Sequence, residues 1–262
     1  MPLIYFEDLR LNACISGPIH GPPLVLLHAL GTNLTIWDQV VLHLPPALRV
    51  LRFDHRGHGA SDAPPAPYTM GALIRDAERL MDHFALRDAV VVGLSLGGLV
   101  AQGLAVKRLD LVRAMVLSNT AAKIGTPELW AGRIAEVRKD GLTVYAEGAM
   151  QRMFGRNHAQ IAGVDRARAM LIQTPVEGWT GCAAAIAGAD FYTPTASLGL
   201  PTLAIAGAND GTTPPDLVRE TADLIKGSRF EIIRGAGHLP MVEKPEVYAG
   251  LVTDFLYSIG HI

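Results

Sequence analysis

The chain has 262 residues, 49% of them hydrophobic, a formal net charge of −2 and two cysteines. That length and apolar content suit one large core with a modest inserted subdomain, and the absence of a long like-charge run argues against a nucleic-acid footprint or a membrane-surface patch. The expected partner is a small molecule.

Cys14 and Cys182 stand far apart without metal-ligand spacing, which predicts buried apolar fillers in a reducing compartment and no metal site. The start Met1-Pro2-Leu3-Ile4-Tyr5-Phe6 has no basic region followed by an apolar signal core. No apolar run approaches the roughly 20 residues of a spanning helix, so no membrane partner and a cytoplasmic location are expected.

Leu3 to Phe6 and Leu11 to Ser16 read as an opening antiparallel strand pair around Glu7-Asp8. Pro22 to Leu27 is a continuous apolar run, the pattern of a strand covered by helices on both faces. Its loop, His28-Ala29-Leu30-Gly31-Thr32-Asn33, lies at the carboxyl end of a central strand, where open α/β sheets place ligand sites. Arg49 to Phe53 predicts the next strand, leading into Asp54-His55-Arg56-Gly57-His58-Gly59-Ala60-Ser61. Charges between glycines suit phosphate binding, but no helix with a Walker lysine follows, so a structural turn is expected. Pro64 to Pro67 then precedes a helix from about Met70 to Phe84.

The organising stretch is Gly93-Leu94-Ser95-Leu96-Gly97-Gly98, between the apolar run Ala89 to Val92 and the helix-forming Leu99 to Ala105. It reads as strand, sharp turn, helix: the nucleophile elbow G-x-S-x-G. Gly93 and Gly97 let neighbouring chain pass beneath a strained Ser95, and the Leu96 amide falls at a helix N-terminus, where a developing oxyanion is favoured.

Ala114 to Ser118 predicts another buried parallel strand. From 120 to 197 the strand–helix alternation gives way to a helical segment, with Thr126-Pro127 suited to an N-cap and first helical position. The expected organisation is a core of 1–119 and 198–262 with a helical cap of 120–197. The core resumes with the buried strand Pro201 to Ala206, ending in a loop at Asp210. A helix from about Pro214 to Lys226, a strand Phe230 to Ile233, the loop Arg234-Gly235-Ala236-Gly237-His238 and a helix from about Pro245 to Tyr257 complete the chain.

Of nine histidines, His238 lies just past the last predicted strand in a Gly-rich loop. With Ser95 and Asp210 it gives the order nucleophile, acid, base, each residue at the carboxyl end of a separate predicted strand. His238 would take the Ser95 proton while Asp210 fixes the imidazole tautomer and stabilises the cation.

These motifs resemble the α/β-hydrolase superfamily along nearly the whole chain. The resemblance implies an α/β-hydrolase fold: a mostly parallel central sheet flanked by helices, with an inserted helical cap. It implies Leu30 as a second oxyanion donor beside Leu96, and likens His28 to the family's loop histidine, read here as a buried brace. The cap motifs, Asn119-Thr120-Ala121-Ala122-Lys123-Ile124-Gly125-Thr126-Pro127-Glu128-Leu129-Trp130 and Thr174-Pro175-Val176-Glu177-Gly178-Trp179-Thr180-Gly181-Cys182-Ala183-Ala184-Ala185-Ile186, are similar to those of the 3-oxoadipate enol-lactonases. That likeness implies a cofactor-free carboxylic ester hydrolase that converts the enol-lactone to 3-oxoadipate through an acyl-enzyme, in bacterial aromatic catabolism by the β-ketoadipate pathway.

The substrate carries a carboxylate, and Arg133 stands one helical turn beyond Trp130. Arg133 is read as a carboxylate clamp or an exposed helix arginine, and Trp130 as a pocket wall, a water-placing group or cap packing. A serine at position 95 argues against dehalogenases and epoxide hydrolases, which need a carboxylate nucleophile. Rival readings are a general carboxylesterase, a carbon–carbon hydrolase, a cofactor-free perhydrolase and, least favoured, a non-catalytic ligand receptor. Oligomeric state is not legible.

Overall fold

A computed structural model describes residues 3–154, 161 and 163–262. Its eight strands are β1 (Leu3–Tyr5), β2 (Arg10–Ser16), β3 (Pro23–Leu27), β4 (Arg49–Phe53), β5 (Ala89–Leu94), β6 (Val112–Ser118), β7 (Thr202–Gly207) and β8 (Arg229–Ile233). They form one sheet in the order β1-β2-β4-β3-β5-β6-β7-β8. Pairs β1·β2 and β2·β4 are antiparallel, and every other pair is parallel. The chain therefore has the α/β-hydrolase fold.

The sequence explains the sheet's centre. All six residues of β5 and of β7 are buried, because apolar side chains on both faces meet helices. The helices of the core are α1 (Asp38–His43), α2 (Met70–His83) and α3 (Leu96–Lys107). In α2, Leu73, Ala77, Leu80 and Met81 form the buried stripe of an amphipathic helix, and Thr69 caps it by accepting from the Ala72 N–H at 3.2 Å. By contrast, α3 is buried continuously from Leu96 to Ala105, as expected of a helix wedged behind the central strand. It starts three residues earlier than the apolar pattern suggests, directly after Ser95.

Among the described residues, four helices lie between β6 and β7: α4 (Pro127–Phe154), α5 (Val164–Gln173), α6 (Val176–Ala187) and α7 (Tyr192–Ala196). Thr126 Oγ1 accepts from the Leu129 N–H at 3.3 Å at the start of α4. Midway, Gly141 sits at φ 79°, ψ 166° and breaks the helical path. A Cβ there would meet nothing within 4 Å, so backbone conformation, not crowding, calls for glycine. After β7 come α8 (Pro215–Asp223), α9 (Pro240–Glu243) and α10 (Pro245–Ser258).

No helix among the described residues is long and apolar enough to cross a membrane. Cys182 is buried, and burial raises its thiol pKa. Cys14 departs from expectation: it is half-buried, with its sulfur 3.7 Å from Arg52 Nη2. It stands on β2, next to the edge strand β1 at the antiparallel end of the sheet.

Candidate active site

The parallel strands deliver their following loops to one edge of the sheet, and Ser95 stands there between β5 and α3. Its backbone is at φ 54°, ψ −113°, a strained conformation costing on the order of 1–3 kcal/mol for a residue other than glycine. Several contacts hold it. Ser95 N–H donates to Ser118 O at 3.0 Å, and Ser95 O accepts from Thr120 Oγ1 at 2.7 Å. A Cβ at Gly93 would lie 2.4 Å from Gly97 O, and one at Gly97 would lie 2.4 Å from Leu27 O, so both glycines are required by close backbone passage. Within the described residues neither the Leu96 N–H nor the Leu30 N–H meets a hydrogen-bond acceptor.

Asp210, in the loop after β7, is buried and nearly saturated with donors. Its Oδ2 accepts from His238 Nδ1 at 2.7 Å, Asn119 Nδ2 at 2.8 Å and Thr213 Oγ1 at 2.8 Å. Its Oδ1 accepts from the amides of Thr212 at 2.7 Å and Thr213 at 3.1 Å. Burial pushes this carboxyl up, but the pull of His238 and the hydrogen bonds from His238, Asn119 and Thr212 outweigh it, so its pKa lies below the ordinary value. An ionised Asp210 assigns the proton to His238 Nδ1 and leaves Nε2 as the acceptor.

The histidine loop is fixed from two further sides. His238 N–H donates to Met153 O at 2.7 Å, and Gly237 N–H donates to Glu243 Oε1 at 2.7 Å. Burial, reinforced by the charge of Asp210, raises Glu243 to a pKa of about 7 even though the Gly237 bond opposes the shift.

The structure thus brings Asp210 and His238 into direct contact, and Ser95 and His238 onto one cavity. Ser95 Oγ makes no hydrogen bond to His238 here. Such nucleophile–base contacts are often long until substrate binds.

Leu30, Ile124, Trp130, Leu171 and Trp179 give the cavity apolar walls, and Arg133 and Arg152 add two guanidinium groups. Trp130 is buried, and its Nε1–H donates to Ile124 O at 2.6 Å, so it walls the cavity and has no donor left to place a water. Arg133 lies over the Trp130 ring at 4.8 Å, which bears out their shared helix face. It is half-buried, not an exposed helix arginine, and burial lowers its pKa.

His28 is a brace. It is fully buried, donates from Nδ1 to Ala29 O at 2.8 Å and accepts the His55 N–H on Nε2 at 2.9 Å. His58 Nε2 accepts the Gly31 N–H at 2.9 Å and so sets the turn beside Leu30. Burial lowers all three imidazoles: His28 far below the ordinary value, His55 to about 3 and His58 to about 4. The loop after β4 is a structural turn as well. Asp54 accepts from the amides of Leu34 at 2.7 Å and Ala60 at 2.9 Å, and from Asn12 Nδ2 at 2.7 Å.

Sequence reasoning missed Asn119, Thr213, Glu243 and Arg152. Asn119 had one usable signal, its place at the carboxyl end of a predicted central strand. There it adopts a φ of 45°, which asparagine tolerates better than most residues.

Comparison with known proteins agrees with this fold. Residues 22–245 match the family described as alpha/beta hydrolase fold. 3-Oxoadipate enol-lactonase 2 of Acinetobacter baylyi is 33% identical over 256 residues, covering 95% of this chain and 96% of the relative. The crystal structure of an enol-lactonase from Burkholderia xenovorans superposes with a TM-score of 0.92 at 33% identity, covering 98% of this chain and 100% of that one. A thermophilic esterase from Thermogutta terrifontis, solved with malate bound, gives a TM-score of 0.88 at 32% identity, covering 96% and 94%. With the sheet order, the elbow turn and the Asp210–His238 contact already in place, these matches across nearly the whole chain mean that it belongs to the α/β-hydrolase family.

Proposed function

We propose that the protein is a serine hydrolase that opens 3-oxoadipate enol-lactone to 3-oxoadipate. The observation that carries this reading is a carboxylate-sized charge complement, the guanidinium of Arg133, in the same apolar cavity as Ser95 and His238. Full-length similarity to enol-lactonases supports it.

Ser95 Oγ attacks the lactone carbonyl while His238 Nε2 takes its proton, and Asp210 steadies the imidazolium. The free amides of Leu30 and Leu96 receive the oxyanion; one such donor typically contributes about 3 to 4 kcal/mol. Collapse expels the ring oxygen, which takes the proton from His238 and leaves an acyl-enzyme bearing an enol. Ketonisation makes that group a poor nucleophile for re-closure. Water, activated by His238, then releases the diacid and regenerates Ser95. Net consumption is one water, and no cofactor is called for.

In this reading the segment 120–197 acts as a cap over the core of 1–119 and 198–262, Trp130 walls the pocket and Arg133 clamps the substrate carboxylate. The reaction would serve bacterial catabolism of protocatechuate or catechol in the cytoplasm. General carboxylesterase activity is the second reading, favoured by the similarity to the T. terrifontis esterase.

The test is loss of enol-lactone absorbance with wild type and Ser95→Ala, alongside p-nitrophenyl acetate. Fast lactone turnover, lost by up to about a millionfold in the variant, is expected. Turnover of the neutral ester alone overturns the lactonase assignment and leaves an esterase.

A further inference from the structure

Arg133 and Arg152 both belong to α4, 19 positions apart. Along an unbroken helix they would be separated by about 28 Å. The break at Gly141 folds the two halves of α4 so that both arginines line the cavity holding Ser95 and His238. Each guanidinium rests on an aromatic ring, Arg133 on Trp130 at 4.8 Å and Arg152 on Tyr145 at 5.1 Å. Stacking of this kind holds the plane of the group and leaves its N–H edge to bind anions. Among the described residues neither guanidinium forms a salt bridge, and the positive field of Arg152 at Arg133 is only partly offset by Glu136. Two like charges confined to one small cavity repel each other until an anion arrives.

Arg152 is also tied to the reacting end of the site. Its carbonyl accepts the Gly211 N–H at 3.0 Å, and the carbonyl of the next residue, Met153, accepts the His238 N–H at 2.7 Å. The acid loop and the base loop are therefore both docked on the turn of helix that carries this side chain. Hydrolysis of an ester there consumes water and yields a carboxylate, an alcohol or enol oxygen and a proton, so a substrate that enters with one carboxylate leaves with two. One arginine matches the charge on entry, and two match it on exit.

We infer that Arg152 is a second anion-binding residue of this site and that, with Arg133, it makes the cavity selective for ligands bearing two carboxylates: dicarboxylates, and the esters or lactones that open to them. This rests on the cavity being the hydrolytic site, and it is independent of which ester is the natural one.

The test uses hydrolysis of p-nitrophenyl acetate as the readout and two acids of equal chain length, adipate and hexanoate, as competitive inhibitors at constant ionic strength. Wild type should bind adipate at least tenfold more tightly than hexanoate, and Arg152→Gln and Arg133→Gln should each bring the two within about twofold. For variants too weakly active to assay, the rise in Tm produced by each acid reads the same contrast. Equal inhibition by the two acids in wild type overturns the inference, as does an adipate preference that survives Arg152→Gln. Adipate preference without enol-lactone turnover refutes the lactonase assignment and keeps the two-arginine site. Lactone turnover without adipate preference does the reverse.

Discussion

The two halves of the site are held in different ways. On the sheet side Ser95, Asp210 and His238 follow buried parallel strands, and each is fixed by backbone passage or by several hydrogen bonds: Gly93 and Gly97 under the serine, Asn119 and Thr213 on the acid, Met153 O on the base loop. On the helical side Arg133 and Arg152 are half-buried, rest on single aromatic rings and depend on one glycine in α4 for their meeting. Groups that stabilise developing charge must be in place before reaction, so crowding and saturation serve them. In the proposed function, groups that choose a ligand need only a surface with the right charge, and can change without disturbing the pair that would transfer the proton.

The sharpest test of that contrast is Asp210→Asn. With the wrong imidazole tautomer favoured, kcat for both the lactone and p-nitrophenyl acetate should fall by about 10⁴-fold, in equal proportion. A loss confined to the anionic substrate would place the acid on the selecting side.

Next is the acid response of the core. His55 and His58 titrate at about 3 and about 4 in the folded chain against 6.5 for the free group, so the unfolded chain binds more protons between those limits. Stability is fully present above pH 6.5 and lost as pH falls towards 4, with His58 alone accounting for roughly 3 kcal/mol. Urea midpoints measured across that range should fall steeply, and His58→Gln should flatten the slope.

Arg133→Ala bears on the helical side. Its expected effect is about a tenfold rise in KM for the anionic lactone with little change for the neutral ester, as for the loss of one charge-assisted hydrogen bond. Equal change in both substrates removes Arg133 from ligand selection.

The smallest effect belongs to Glu243, which braces Gly237 from behind. Its carboxyl titrates at about 7 when folded against 4.5 when free, so here the folded chain binds the extra proton. This contribution is present below pH 4.5 and lost as pH rises through 7, opposite in sign to the histidines. After allowance for its partial exposure it amounts to on the order of 1 kcal/mol. Glu243→Gln should abolish that portion of the stability–pH curve, and an unchanged curve would show that the group titrates normally.

Much of this was legible in the chain itself. Continuous apolar runs such as Ala89 to Val92 announce buried parallel strands, and Gly-x-Ser-x-Gly followed by Asp210 and His238 past later strands announces the loops that carry the candidate site, because periodicity and turn chemistry are written within about ten residues. The short helices α1 and α9 gave no such signal, being six and four residues long. The 120–197 segment read as helical, yet nothing local marked Gly141 as the place where α4 turns back.

What the tertiary structure alone decided is environment. Asn119 and Asp210 are 91 positions apart, and Arg152 meets the cavity only after its carbonyl and that of Met153 dock on loops 59 and 85 positions further along. The charge state of Glu243, the neutrality of His28, His55 and His58, and the half-buried place of Cys14 likewise depend on what burial brings near. A residue's type and local spacing are carried by the sequence, whereas its dielectric surroundings and hydrogen-bond partners come from segments that only the closed sheet and folded helices bring together.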